Sequence, residues 1–244
     1  LDGPAASMIN RHAVAAKADL IVMTTHGRGP IARIWLGSVS DELVRKTCIP
    51  ILFVSPHETE ADVGRDALFD RIIVPLDGSN LAEQILATVT PIASATQAEI
   101  MLVRVVQQWL QTRYAAGGKR VGGLRPSLRK QLQVIDERER NNAAKYLERI
   151  AKQLREDSLI VITRVLTQQS PASAILNCAT AQKNGLIAMA THGHGGLKRL
   201  LVGSVTDKVL RGGRVPVLAQ RPTDKLAVPS DDAAYDTSHA ACEV

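Results

Sequence analysis

The sequence predicts an α/β protein: a parallel open sheet with helices on both faces. Three observations carry this. Short β-branched runs alternate with helical periodicities through five strands between residues 68 and 221. A second, partial copy of the same pattern precedes them at a constant offset of 166 residues, at which His26, for example, recurs as His192. Aromatic residues make up only 3% of the 244 residues, so Ala, Val, Ile and Leu must fill the core.

The elements follow in order. In the first copy, Leu20-Ile-Val-Met-Thr-Thr-His-Gly-Arg-Gly leads to Leu36-Gly37-Ser38-Val39-Ser40-Asp41 and then Ile49-Pro50-Ile51-Leu52-Phe53-Val54. In the second, Leu186-Ile-Ala-Met-Ala-Thr-His-Gly-His-Gly leads to Val202-Gly203-Ser204-Val205-Thr206-Asp207 and Val215-Pro216-Val217-Leu218-Ala219. The alignment has no gap from Ala18 to Leu52. By this offset residues 1–56 hold only the last helix, strand, loop, helix and strand of the unit. A half sheet exposes an apolar edge, so loss of the remainder or cover by another surface is expected. Residues 57–67 read as a polar linker and 222–244 as a disordered tail.

Residues 68–221 hold the complete unit. Asp70–Leu76 is a strand ending at Asp77-Gly78-Ser79, with Ser79 placed to cap a helix carrying Leu81, Ile85, Leu86 and Val89. Residues 100–106 form the second strand, and 107–126 a Gly-rich basic loop. A long amphipathic helix spans 128–154, with Leu132, Ile135, Tyr146, Leu147, Ile150 and Leu154 on its apolar side. Residues 159–166 form the third strand. Pro171 opens a helix where its missing N–H costs nothing. Residues 186–190 and 215–219 are the last strands, with a helix from Ser204 to about Arg211 between them.

Charge and cysteine usage narrow the classes. Thirty Lys and Arg against 24 Asp and Glu give a net charge of +6, concentrated between Arg104 and Arg155. Much of that basic stretch alternates with Glu, as on a solvated helix face. Trp109 and Tyr114 beside the basic loop are thin evidence for nucleic-acid stacking. Instead the loop is expected to overhang the strand ends, where Arg113, Lys119 or Arg120 would reach phosphates. No apolar run reaches the roughly 18 residues of a membrane helix. Cys48, Cys178 and Cys242 form no metal-ligand spacing and read as reduced thiols of a cytoplasmic protein.

The chemistry concentrates after Ala190. Thr191-His192-Gly193-His194-Gly195-Gly196 follows a strand, and Gly203-Ser204 opens a helix. Glycines admit close approach of an anion to backbone N–H groups, and a helix N-terminus adds free donors. Asp77, on a neighbouring strand end, is placed to accept from adenine or ribose. Sheets of this type bind ligands beyond the carboxyl ends of their strands. A plainer account stands beside this one: Ser204 to Asp207, like Ser38 to Asp41, is a Ser-x-x-Asp capping pattern, and the glycines suit a tight turn. Spacing alone leaves both open. No Walker loop and no Gly-x-Gly-x-x-Gly follows Val74, which argues against those nucleotide enzymes. His192 and His194 lack the partners of a metal site, and Ser204 lacks an elbow and an orienting third group. His192 is expected to order its loop by bonding to backbone.

Val74-Pro75-Leu76-Asp77-Gly78-Ser79, Thr191-His192-Gly193, nine residues, Gly203-Ser204 and the closing Val215-Pro216-Val217-Leu218 resemble the universal stress protein family. The resemblance covers residues 68–221 and, as a partial copy, 1–56. It implies a five-stranded parallel sheet in the order 3-2-1-4-5, preceded by the partial copy's last two strands. It also implies pairing through the last strand and, in one branch, binding of an adenine nucleotide (ATP, with or without Mg2+). Asp77 would then contact adenosine and Val105 would offer adenine its backbone, while Gly193, Gly203, Ser204 and Val205 hold ribose and phosphates. Ala190 stands where the family's motif has its first glycine, and Thr24 stands there in the partial copy. Ala is tolerable there with negative φ and costly with positive φ. The partial copy has no equivalent of Asp77 or Val105, so no complete site is expected in it. The function implied is a regulatory nucleotide binder with at most slow hydrolysis, not an enzyme. The alternative is a nucleotide-free pairing module, joined as a homodimer or within one chain through Ile51–Val54 and Val215–Ala219.

Overall fold

The computed structural model describes residues 4–24, 37–54, 69–107, 125–168, 170–182, 184–192, 202–212 and 215–222. The linker, the tail, the basic loop with Trp109, Arg113, Tyr114, Lys119 and Arg120, and the segments around His26 and Gly193 lie outside the described residues. In chain order the elements are α1 (Ala5–Ala15), β1 (Ile21–Thr24), α2 (Ser38–Lys46), β2 (Ile51–Val54), β3 (Arg71–Pro75), α3 (Asn80–Glu83), α4 (Ile85–Thr96) and β4 (Glu99–Val106). They continue with α5 (Pro126–Glu156), β5 (Val161–Thr167), α6 (Pro171–Thr180), β6 (Gly185–Ala190), α7 (Ser204–Gly212) and β7 (Val217–Gln220).

All seven strands join one sheet, in the order β1-β2-β7-β6-β3-β4-β5. The five strands of the complete unit keep the implied relative order, all parallel. The expected five-stranded sheet is nevertheless too small, because β2 adds to the free side of β7 and β1 to β2. The junction of β2 with β7 is antiparallel: Ile51 lies opposite Ala219, Leu52 opposite Leu218 and Phe53 opposite Val217. Leu52 and Leu218 are repeat equivalents, so the pairing is centred on its own pseudo-two-fold axis. Each copy offers the same patch to the other, as in an isologous dimer.

Helices cover the sheet because β3, β4 and β6 are apolar on both faces. One face carries Ile73, Met101, Ile187, Val217, Ile51 and Phe53 under α6 and α7 and, over the partial copy, residues of α1 and α2. The other carries Ile72, Val74, Ile100, Leu102, Leu186 and Ala188 under α4 and α5. This second layer stops before β1: Val22 is 59% exposed, whereas its repeat equivalent Ala188 is fully buried.

Some boundaries differ from expectation. β7 begins at Val217 rather than Val215, because Pro216 has no N–H for a ladder. Pro216 contributes its carbonyl instead, accepting from Ile187 N at 3.0 Å. Among the described residues only the second half of α5 packs, through Leu147, Ile150, Ala151 and Leu154, while Ile135 in the first half is exposed. The helix expected after Ser79 is split at Gln84. Ser170 caps α6 ahead of Pro171, as that proline's place at the first turn requires.

Candidate functional site

β3 runs out at Pro75, and the chain turns through Leu76-Asp77-Gly78-Ser79. Leu76 N donates to Val103 O at 2.8 Å, which holds the turn over β4. Asp77 Oδ1 accepts from Ser79 N at 3.0 Å and from Ser79 Oγ at 2.6 Å. Ser79 Oγ accepts in turn from Ala82 N at 3.2 Å, so Ser79 caps α3 as its sequence position implies. The carboxylate is thus fixed by the helix it introduces. Gly78 has φ +84°, and a Cβ there would lie 2.6 Å from Arg104 Nη1. Glycine is required twice at this position, by backbone hand and by a guanidinium pressed against its Cα.

Arg104 was not singled out by its sequence, although a lone charge inside the apolar run of β4 is a readable signal. Its guanidinium lies 5.5 Å from the centroid of the Tyr146 ring, and its Nη1 is buried with no hydrogen-bond partner among the described residues. Tyr146 Oη donates to Glu83 Oε1 at 2.9 Å, and Arg149 pairs with the same carboxylate at 3.3 Å. Arg104 and Tyr146, with Gly78, Val106, Glu139, Asn142 and Ala143, border a cavity of about 200 Å3 on the α5 side. Burial first, then the bond to Glu83 and that group's charge, raise the Tyr146 pKa well above its ordinary value. Arg104 opposes the rise and Asp77 adds to it.

A phenol whose pKa is raised on folding keeps its proton longer in the folded state. Its contribution is therefore complete below about pH 10 and is lost as pH rises beyond that. Tyr146→Phe is expected to lose about 1 kcal/mol near neutrality and to remove the latest tyrosine transition from an ultraviolet alkaline titration. Persistence of that transition in the variant would contradict the assignment.

The second half of the site is stitched together where β6 meets α7. Gly203 N donates to Thr191 O at 2.7 Å, Thr191 N donates to Gln220 O at 2.8 Å, and Thr206 Oγ1 donates to Ala190 O at 3.1 Å. A Cβ on Gly203 would lie 3.0 Å from the Thr191 carbonyl oxygen. At Gly37, the equivalent position in the first copy, a Cβ would meet nothing within 4 Å among the described residues. Gly203→Ala is therefore expected to push α7 away from β6 and cost about 1 kcal/mol. Denaturant unfolding reads this loss, and an unchanged midpoint would show that the contact relaxes freely.

Ala190 is a buried strand residue paired with Gln220, and it is not among the residues with positive φ. Alanine meets no backbone penalty at this position. Ser204 is the exposed first residue of α7. The Ser-x-x-Asp capping account finds no support in the first copy, where α2 begins at Ser38 after Gly37 without a side-chain cap. In both copies the aspartate also pairs forward on its own helix, Asp207 with Arg211 and Asp41 with Arg45, each at 2.7 Å. His192 Nδ1 lies 2.9 Å from Thr191 Oγ1, a side chain rather than the backbone partner expected. Its Nε2 is buried with no hydrogen-bond partner among the described residues.

Asp77 and Ala190 thus stand at the carboxyl ends of the neighbouring strands β3 and β6, and Val105 near the end of β4 on the other side of β3. Gly203, Ser204 and Val205 begin α7 beside β6. Between β3 and β6 the strand order reverses direction, the place where such sheets hold ligands. Gly193 lies outside the described residues. Among the described residues no cluster of His, Cys, Asp and Glu could hold a metal ion, and no helix is long and apolar enough to cross a membrane.

The family model for the universal stress protein family matches residues 1–55 and 68–221. The chain belongs to this family. A universal stress protein of Mycobacterium tuberculosis strain H37Rv is 31% identical over 209 residues, covering 85% of this chain and 63% of that relative. The chain therefore spans less than two thirds of that relative's length. A universal stress protein of Methanocaldococcus jannaschii is 27% identical over 158 residues, covering 65% of this chain and 85% of the relative. Among solved structures, a universal stress protein from Archaeoglobus fulgidus superimposes with a TM-score of 0.59 at 20% identity, over 88% of this chain and 66% of that one. This is a likeness of fold.

Proposed function

We propose that the complete unit, residues 68–221, binds an adenine nucleotide, ATP with or without Mg2+, across the ends of β4, β3 and β6. The observation that carries this reading is the junction of β6 and α7. There Gly203 is pressed against the Thr191 carbonyl, and the neighbouring His192 has a buried Nε2 with no partner among the described residues. A buried polar atom without a partner is costly, and a ligand is one way to satisfy it. Asp77 would hold the adenosine and Val105 would contribute backbone to adenine. Ala190, His192, Gly193, Gly203, Ser204 and Val205 would surround ribose and phosphates. The first α7 turn offers free N–H donors to a phosphate.

The role is regulatory. Among the described residues Asp77 is the one strand-end carboxylate in this constellation, and its assignment to adenosine argues against rapid hydrolysis. Nucleotide binding would shift the population of partner-binding states in a cytoplasmic protein. Partial and complete units act as one pseudo-dimer. The free side of β7, which a homodimer through the last strand would use, is paired with β2 of the same chain.

The test is equilibrium dialysis of the purified full chain against labelled ATP and GTP, after extraction of any co-purified nucleotide. Retention of ATP over GTP supports the reading. No retention of either, with the chain folded, contradicts it and leaves the pairing module, which the continuous β2–β7 junction favours.

A further inference from the structure

Side chains alternate between the two faces of the sheet along β4. Met101, Val103 and Val105 pack on the α6 and α7 side, whereas Ile100 and Leu102 pack under α4 and α5. Arg104 and Val106 continue the second series, and both border the cavity of about 200 Å3 on the α5 side. Val106 and Ala143 give that cavity buried apolar walls, and Tyr146 adds its ring. Arg104 is the one cation among the described residues that line it. The Tyr146 ring attracts the guanidinium but does not neutralise it. The carboxylates that act on Tyr146 are engaged elsewhere: Glu83 by Tyr146 and Arg149, and Asp77 by Ser79. Arg104 Nη1 is therefore a buried charged donor with no hydrogen-bond partner among the described residues. Such a donor is costly until an acceptor reaches it.

We propose that this cavity binds a small organic carboxylate, its carboxylate on Arg104 and its apolar body against Val106, Ala143 and Tyr146. The site does not depend on the nucleotide reading, because it lies on the face of β4 opposite Val105. Apolar walls with one convergent charged donor are the make-up of a small-molecule site. Guanidinium and carboxylate form short, charge-assisted hydrogen bonds, which would satisfy Nη1 and balance its charge together. An inorganic phosphate suits the cavity less well. Glu139 borders it and would repel a dianion, and Arg149, the next cation on α5, already pairs with Glu83. A free phosphate also brings nothing to the apolar walls.

The test titrates the full chain, stripped of nucleotide, with butyrate and separately with butanol, followed by saturation-transfer nuclear magnetic resonance. The expected result is saturable transfer to butyrate, with affinity for butanol weaker by about tenfold or more. Arg104→Gln should weaken butyrate by a similar factor. This change removes a buried charge that no described carboxylate balances, so the fold should stand, as a thermal melt checks. Should that variant unfold, Asn142→Trp decides: it sits at an exposed position of α5 and fills the cavity mouth with Arg104 intact. No saturable transfer to butyrate in the native chain would overturn the proposal. So would an affinity unchanged by Arg104→Gln, or by Asn142→Trp where that variant decides. Displacement of butyrate by equimolar inorganic phosphate would also overturn it, and would assign Arg104 to a phosphate group.

Discussion

Phe53→Ala is expected to lower the stability of the chain by about 3–5 kcal/mol, the range for a large aromatic removed from a packed core. Phe53 is 1% exposed and lies opposite Val217 at the antiparallel junction. Its repeat equivalent is Ala219, so the pseudo-two-fold seam is filled by one aromatic from one side. Truncation would leave alanine at both equivalent positions. For a chain of this length the loss corresponds to a fall of roughly 10 °C in melting temperature. Amide exchange at residues 51–53 and 217–219 should rise before that of β3 and β4, because these strands hold the two copies together. A drop below about 1 kcal/mol would mean that the seam is loosely packed.

Gly78→Ala is expected to cost about 1–3 kcal/mol and to weaken ATP binding at least tenfold. The backbone contribution comes from φ +84°, which an L-residue adopts only with strain. The steric contribution comes from Arg104 Nη1, which lies where the new methyl would go. Arg104 cannot yield without leaving its place over Tyr146. Either movement disturbs the Asp77–Ser79 bonds, so stability and binding should fall together. Paired measurement of unfolding and nucleotide affinity checks this. Unchanged affinity at reduced stability would detach Gly78 from the proposed site.

Much of this architecture was legible in the sequence, and for local reasons. The runs Ile72 to Val74 and Leu186 to Ala190 are apolar on both faces and read directly as interior parallel strands. Ser79 could be recognised as a cap because capping depends on three neighbouring residues. The offset of 166 located the partial copy and its final strand. What escaped depends on contacts between distant segments. Periodicity assigns Ile135 to an apolar helix face but cannot tell that, among the described residues, the first half of α5 finds no surface to pack on. It joins Val215 and Pro216 to a strand that begins only where a ladder N–H is available. The cluster of Arg104, Tyr146, Glu83 and Arg149 assembles two helices and a strand that sequence separation conceals. The Ser-x-x-Asp spacing suggested a capping box, yet Asp207 and Asp41 turn to arginines one helical turn further on.

The central claim is that the complete unit holds an adenine nucleotide with Asp77 as its adenosine contact. The most direct measurement is calorimetric titration of the full chain with ATP, with and without Mg2+, beside Asp77→Ala. The account predicts saturable binding at one nucleotide per chain and its loss in a variant that remains folded. No binding by the native chain, or equal binding by both proteins, would contradict it.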